Sequence, residues 1–196
     1  MANLAIHLSR DINHIIYELI GISFCLDQNY ATIKNTCVTW TGNKYNYSIY
    51  RGLSYRETHR QILQNREYIM LFEDNSAVQL YYELNKYNSS IIEHSLTFLP
   101  SPDIEGLTYL RFDFDGKKVN YIDCLHPYSH MHIGLENDSR IPILGPVTPS
   151  NFVKFILKNF YRDIYKEVDS KFKVYKIGTR TLSEKEEQHL HLHYKD

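Results

Sequence analysis

The stretch Leu107-Thr108-Tyr109-Leu110-Arg111-Phe112-Asp113-Phe114-Asp115 decides the fold. From Leu107 to Asp115 the residues alternate with the two-residue period of a strand that has one buried face. Leu110, Phe112 and Phe114 need a core on one side; Arg111, Asp113 and Asp115 share the other. Gly116-Lys117-Lys118 then reads as a turn, and Val119 to Cys124 is expected to run back beside this strand.

Upstream, the texture is the same. Ile91 to Leu99 reads as a strand, followed by a loop marked by Pro100, Pro102 and Gly106. Tyr68 to Phe72 and Ala77 to Leu84 flank Glu73-Asp74-Asn75-Ser76, a hairpin signal. Cys37 to Thr41 and Tyr45 to Ile49 flank Gly42-Asn43, a second one. Tyr55 to Asn65 reads as a short helix from its Arg, Glu and Gln content. At the start, Ser9 is a candidate N-cap, Ile12, Ile15, Ile16 and Leu19 recur at helical spacing, and Gly21 is a stop. Ile22 to Leu26 is then a short buried run.

Downstream, His130 to Ile133 reads as a strand, and Pro142, Gly145, Pro146 and Pro149 exclude regular structure around them. Thr148 followed by Pro149 is a helix start, with Thr as cap and Pro in the first turn. Phe152, Ile156, Phe160, Ile164 and Val168 recur every four residues, which predicts one long helix to about Val168. Leu190-His191-Leu192-His193 alternates as a last strand would. The expected fold is therefore α+β: a mainly antiparallel sheet packed by an N-terminal helix and a long helix near the C-terminus. Residues 1–196 are read as one globular domain, because the chain shows neither an internal repeat nor a dividing linker.

Composition excludes several classes. Hydrophobic residues make up 43% and charged residues 23%, the range of an ordinary globular protein. A net charge of −1 argues against a protein that coats nucleic acid generically, but leaves room for a small basic site. Tyr is frequent at 17, and Asn, Ile and Lys are also common, a mixture that an AT-rich genome produces without functional demand. Cys25, Cys37 and Cys124 are odd in number and widely spaced, which fits neither a disulfide framework nor a cysteine zinc site, and fits a reducing cytosol. Met1 to Arg10 lacks the pattern of a signal peptide, and no apolar run is long enough for a membrane span, so a cytoplasmic protein is expected. A nucleotide-binding Gly-rich loop, a GxSxG elbow and an HExxH helix are all absent.

Three clusters could carry chemistry. In His126-Pro127-Tyr128-Ser129-His130-Met131-His132, His130 and His132 share one strand face about 7 Å apart. Two such imidazoles can move a proton or bind one divalent metal, which would need a third ligand such as His126, Asp113 or Asp115; the plainer alternative is two ordinary polar residues on a solvated sheet face. Arg111 and Asp113 share a face of their own strand; Arg suits phosphate, and Asp can orient an imidazole or hold a metal. Asp115, beside its turn, reads better as cross-strand charge pairing on an exposed face. His189, His191 and His193 are explained by leucines facing a core and histidines facing water. Cys124 and His126 would face the same way on a strand, but a cysteine in an apolar run is more often core. Trp40 and the tyrosines are read as packing.

Arg111-Phe112-Asp113-Phe114-Asp115, His126 to Gly134, Arg140-Ile141-Pro142 and Thr148-Pro149 with Phe152, Val153, Phe155 and Ile156 together resemble the bacterial domain-of-unknown-function 2290 family. The resemblance covers about half the chain, and the hairpin around Asp74 fits it less specifically. It implies a bacterial cytosolic protein and transfers no catalytic role. Over a shorter stretch, the Arg–Asp strand followed by a His-rich loop is similar to small toxins of bacterial toxin–antitoxin pairs. Two expectations follow. One is a small nuclease of a defence or toxin–antitoxin system, with His130, His132, His126, Asp113 and Arg111 as its cluster. The other is a non-catalytic subunit that docks on a larger nucleic-acid-handling partner.

Overall fold

The computed structural model describes residues 2–41, 52–87, 90–134, 140–173, 175 and 177–188. Helix α1 spans Ala2–Gly21, and strands β1 (Cys25–Gln28), β2 (Thr32–Lys34) and β3 (Cys37–Thr39) follow. Helix α2 (Tyr55–Gln64) precedes β4 (Met70–Phe72), β5 (Ala77–Leu84), β6 (Ile91–Leu99), β7 (Leu110–Asp115), β8 (Ser129–Ile133) and β9 (Ile141–Pro142). Helices α3 (Pro149–Phe160), α4 (Arg162–Val168) and α5 (Glu184–Gln188) follow, and Lys118–Asn120 and Asp169–Lys171 form 3-10 turns. The fold is α+β, with all nine strands in one antiparallel sheet.

The order is β1-β4-β5-β6-β7-β8-β9, and β3, which also pairs β2, joins the far end of the β5 edge that β4 occupies. The long central strands set the register that matters. Tyr81 lies opposite Ser95, Ser95 opposite Asp113, and Asp113 opposite His130. In the neighbouring row, Gln79, Thr97, Arg111 and His132 lie side by side.

Strand parity then gives two different faces. Leu80, Tyr82, Val78, Leu96, Phe98, Leu110, Phe112, Phe114 and Met131 are buried on one face and join the core cluster with α1 and α3. Phe112 meets Phe152 and Phe155 at ring distances of 5.4 and 5.3 Å, and Phe98 stacks on Phe160 at 5.4 Å. Each such ring removes well over 100 Å² of apolar surface from water, so this layer supplies most of the driving force. The two helices are also tied together, since Asp11 of α1 accepts from the Ser150 backbone N–H and hydroxyl at the start of α3. The opposite face carries an apolar cluster at one end, where Ile62 of α2 packs with Tyr68, Ala77, Leu99 and Tyr109.

Several local expectations need correction. Ser9 is not an N-cap; α1 begins at Ala2, and the Ser9 hydroxyl donates to the Ala31 carbonyl. The buried run at Ile22 to Leu26 holds for Phe24 and Cys25, but Leu26 points outward. Val119 to Cys124 is not a strand. Lys118–Asn120 is a 3-10 turn, Ile122 and His126 close a tight loop, and the place beside β7 is taken by β8. Pro142 does sit in regular structure, as the end of an edge strand where a missing N–H is tolerated. The long C-terminal helix is two helices, because Tyr161 at φ −136°, ψ 60° leaves the helical region. There the ring packs on Phe24, Phe72 and Phe98 and the hydroxyl donates to Asp74, so tertiary contacts override the four-residue period. Thr148 caps α3 as expected, accepting from Asn151 N–H, with Pro149 in the first turn. The Gly42-Asn43 hairpin with Tyr45 to Ile49, and the His189 to His193 strand, lie outside the described residues.

Candidate functional site

The polar row of the sheet begins with alternation. Arg111 and Asp113 face away from the core because Leu110, Phe112 and Phe114 take the buried side. On β8, Met131 enters the core, so His130 and His132 must face the other way. Antiparallel pairing then brings the four side chains together. Yet both histidines are buried, at 3% and 5% exposure, so this is not a wet sheet surface.

Asp113 is the hub. Its Oδ2 accepts from Arg111 Nε at 2.7 Å and lies 3.4 Å from His132 Nε2; its Oδ1 accepts from the Ser95 hydroxyl at 2.8 Å. Burial, the largest influence, opposes ionisation of Asp113. The contacts with His132, Arg111 and Ser95 outweigh it and hold the carboxyl well below its ordinary range. His130 packs edge-on against His132 at a ring distance of 4.8 Å. Its Nδ1 lies 2.9 Å from the Pro127 carbonyl, which can only accept, so Nδ1 carries the proton and Nε2 the lone pair. Burial pushes this imidazole down to about 4, with His132 and His126 adding to the effect against the pull of the Pro127 carbonyl and Asp113. His132 Nε2 is buried and makes no aligned hydrogen bond among the described residues. One donor atom from each of Asp113, His130 and His132 lie within 4.8 Å of one another.

The structure thus brings together four of the five residues singled out in the sequence. His126 stands at the margin. It is half-buried in the loop before β8, with its ring 5.1 Å from that of His130, and its backbone bridges Ile122. Asp115 belongs to the turn, where it accepts from Lys117 N–H and the Asn120 side chain. Cys124 shares no strand face with His126, since it occupies the loop at φ 61°. Trp40 packs against the core, as its packing reading requires.

Ser95 is the member that sequence reasoning missed. Its signal was present in Glu93, Ser95 and Thr97, which alternate with His94, Leu96 and Phe98 along β6. What the sequence lacked was the register that sets Ser95 against Asp113.

No helix among the described residues is long and apolar enough to cross a membrane. No curated protein and no solved structure gives a significant match to the chain. The family model described as "Uncharacterized conserved protein (DUF2290)" matches residues 24–108 and 104–194, which include every residue of the cluster. With nearly all of its length covered by that model, the chain belongs to the DUF2290 family of uncharacterized conserved proteins.

Proposed function

We propose that this protein is a small nuclease that hydrolyses phosphodiester bonds of RNA or DNA, in a bacterial cytoplasmic defence or toxin–antitoxin setting. The observation that carries the reading is the convergence of two buried imidazoles, an ionised carboxylate and a guanidinium through the pairing of β7 with β8. Each member has a use in phosphodiester hydrolysis. A neutral imidazole or a metal on it activates water, and the acting atoms are the same in both cases: His130 Nε2, His132 Nε2 and Asp113. Arg111 supplies positive charge beside the reacting position, matched to the phosphate oxygens. His126, half-buried with its ring 5.1 Å from that of His130, would pass a proton between the site and water in this reading.

The test uses purified, untagged protein on end-labelled single- and double-stranded RNA and DNA. Wild type is expected to cut at least one of the four. The His130→Gln/His132→Gln double variant should lose about 10²–10⁴-fold in rate while keeping its circular dichroism spectrum. No cleavage of any substrate by wild type, or equal cleavage by the variant, would overturn the reading.

A second reading, a subunit docking on a larger nucleic-acid-handling protein, is favoured by one loop. Val119, Ile122 and Leu125 are 87%, 56% and 70% exposed between β7 and β8, an apolar cluster that water disfavours. This reading predicts a stable complex on purification from the native host. The complex should survive the double His change and dissociate with Val119→Asp/Leu125→Asp.

A further inference from the structure

We infer that Asp113, His130 and His132 form a binding site for one divalent transition-metal ion. The inference rests on the same cluster as the nuclease reading, and its test separates the two. The first support is an orphan. His132 Nε2 is buried and unaligned with its nearest acceptor, although Asp113 Oδ2 is only 3.4 Å away. A buried polar atom so poorly paired is disfavoured, and native proteins rarely carry one without a use. Two donor atoms this close and out of line with each other suit a shared third atom between them. Ligands about 2.0–2.1 Å from a tetrahedral ion stand roughly 3.4 Å apart, so this pair already has the edge length of a coordination polyhedron.

The second support is the outer arrangement. His130 donates Nδ1–H to the Pro127 carbonyl, which fixes its tautomer and leaves Nε2 as its lone-pair nitrogen. A ligating histidine is ordinarily held in this way. Asp113 is oriented from both oxygens, by Ser95 and by Arg111. The three donor atoms lie within 4.8 Å of one another, so the farthest pair closes by at most about 1.4 Å on an ion.

Chemistry narrows the ion. Two imidazole nitrogens and one carboxylate oxygen suit Zn²⁺, Mn²⁺, Fe²⁺ or Co²⁺, whereas Mg²⁺ and Ca²⁺ prefer an all-oxygen shell. Three protein ligands leave at least one position for water or substrate, the pattern of a catalytic rather than a structural site. The Arg111 charge opposes the cation and competes for Oδ2, so it sets the affinity lower than the ligand set alone would give.

The experiment loads untagged full-length protein, stripped with chelator, with Zn²⁺, Mn²⁺ or Co²⁺ and measures bound metal by mass spectrometry after desalting. Visible spectroscopy of the Co²⁺ form reports coordination. One equivalent of Zn²⁺ or Co²⁺ is expected, with the intense d–d bands of a four- or five-coordinate site. Asp113→Asn, His130→Gln and His132→Gln should each lose it. Ser95→Ala removes no ligand, so it should keep the fold and weaken affinity about 10-fold. His189→Ala/His191→Ala/His193→Ala should retain the metal. Failure of wild type to hold metal overturns the inference, as does retention by the three site variants or loss only with the tail variant. His-dependent cleavage that persists in chelator would sink the metal and keep the nuclease. One equivalent of metal with no cleavage of any substrate would do the reverse.

Discussion

Two buried histidine environments lie on opposite faces of the same sheet, and they differ in one respect. His94, on the core face, is fully satisfied. Its Nδ1 donates to the Phe112 carbonyl at 3.2 Å, and its Nε2 accepts from the Val147 backbone N–H at 3.0 Å. Its ring lies between Tyr82 and Phe114, and burial pushes it down to about 4, so it is neutral near pH 7. His132, on the polar face, is just as buried but leaves Nε2 without an aligned partner among the described residues. Burial alone therefore does not mark a functional histidine. Satisfaction of both ring nitrogens marks a structural one, and a buried nitrogen left out of line beside a carboxylate marks a candidate for chemistry.

The comparison can be broken most forcefully through Asp113. Asp113→Ala removes the acceptor for Arg111 and Ser95 and leaves a part-buried guanidinium without its carboxylate. A loss of about 3 kcal/mol is expected in a urea melt, and Asp113→Asn should lose less. An alanine variant as stable as wild type would mean that the polar face is solvated after all.

Acid sharpens the contrast more gently. His94 and His130 both have folded values near 4, below the ordinary 6.5 of the unfolded chain. Between those values the unfolded state binds more protons, so stability is fully present above pH 6.5 and falls as pH drops towards 4. Asp113 adds a further loss below its ordinary value of 3.8. Melting temperature should accordingly decline from pH 6.5 to 4, and His94→Gln should flatten part of that slope. A flat profile over this window would contradict the burial of both rings as neutral species.

A smaller effect is expected at Thr148, which caps α3 directly after the Val147 that His94 binds. Thr148→Ala should cost about 1 kcal/mol and shift the His94 ring resonances in NMR. Unmoved His94 resonances would separate the helix start from the histidine's structural role.

Much of this scaffold was legible because it rests on local periodicity. Alternation in Leu110 to Asp115, the hairpin at Glu73 to Ser76, and Thr148-Pro149 all translate into structure without help from distant residues. The misreadings share a cause, which is tertiary context. The Phe152 to Val168 repeat runs unbroken through Tyr161, yet packing on three phenylalanines turns the backbone there. Val119 to Cys124 has strand-like residues, but β8 takes the pairing position they would need. For the candidate site, residue types and shared faces could be read from the alternation of each strand. The burial of the two histidines and the part of Ser95 could not, because both depend on which strands become neighbours and in what register.

The central claim is that His94 serves the fold and His132 serves the chemistry. It is tested most directly by the unfolding free energies of His94→Gln and His132→Gln, measured side by side by urea denaturation in chelator. The expected result is a loss of about 1–3 kcal/mol for His94→Gln, which strands the Val147 N–H or the Phe112 carbonyl, and a change within about 0.5 kcal/mol for His132→Gln. Equal losses at the two positions would contradict it, because His132 would then be one more structural histidine.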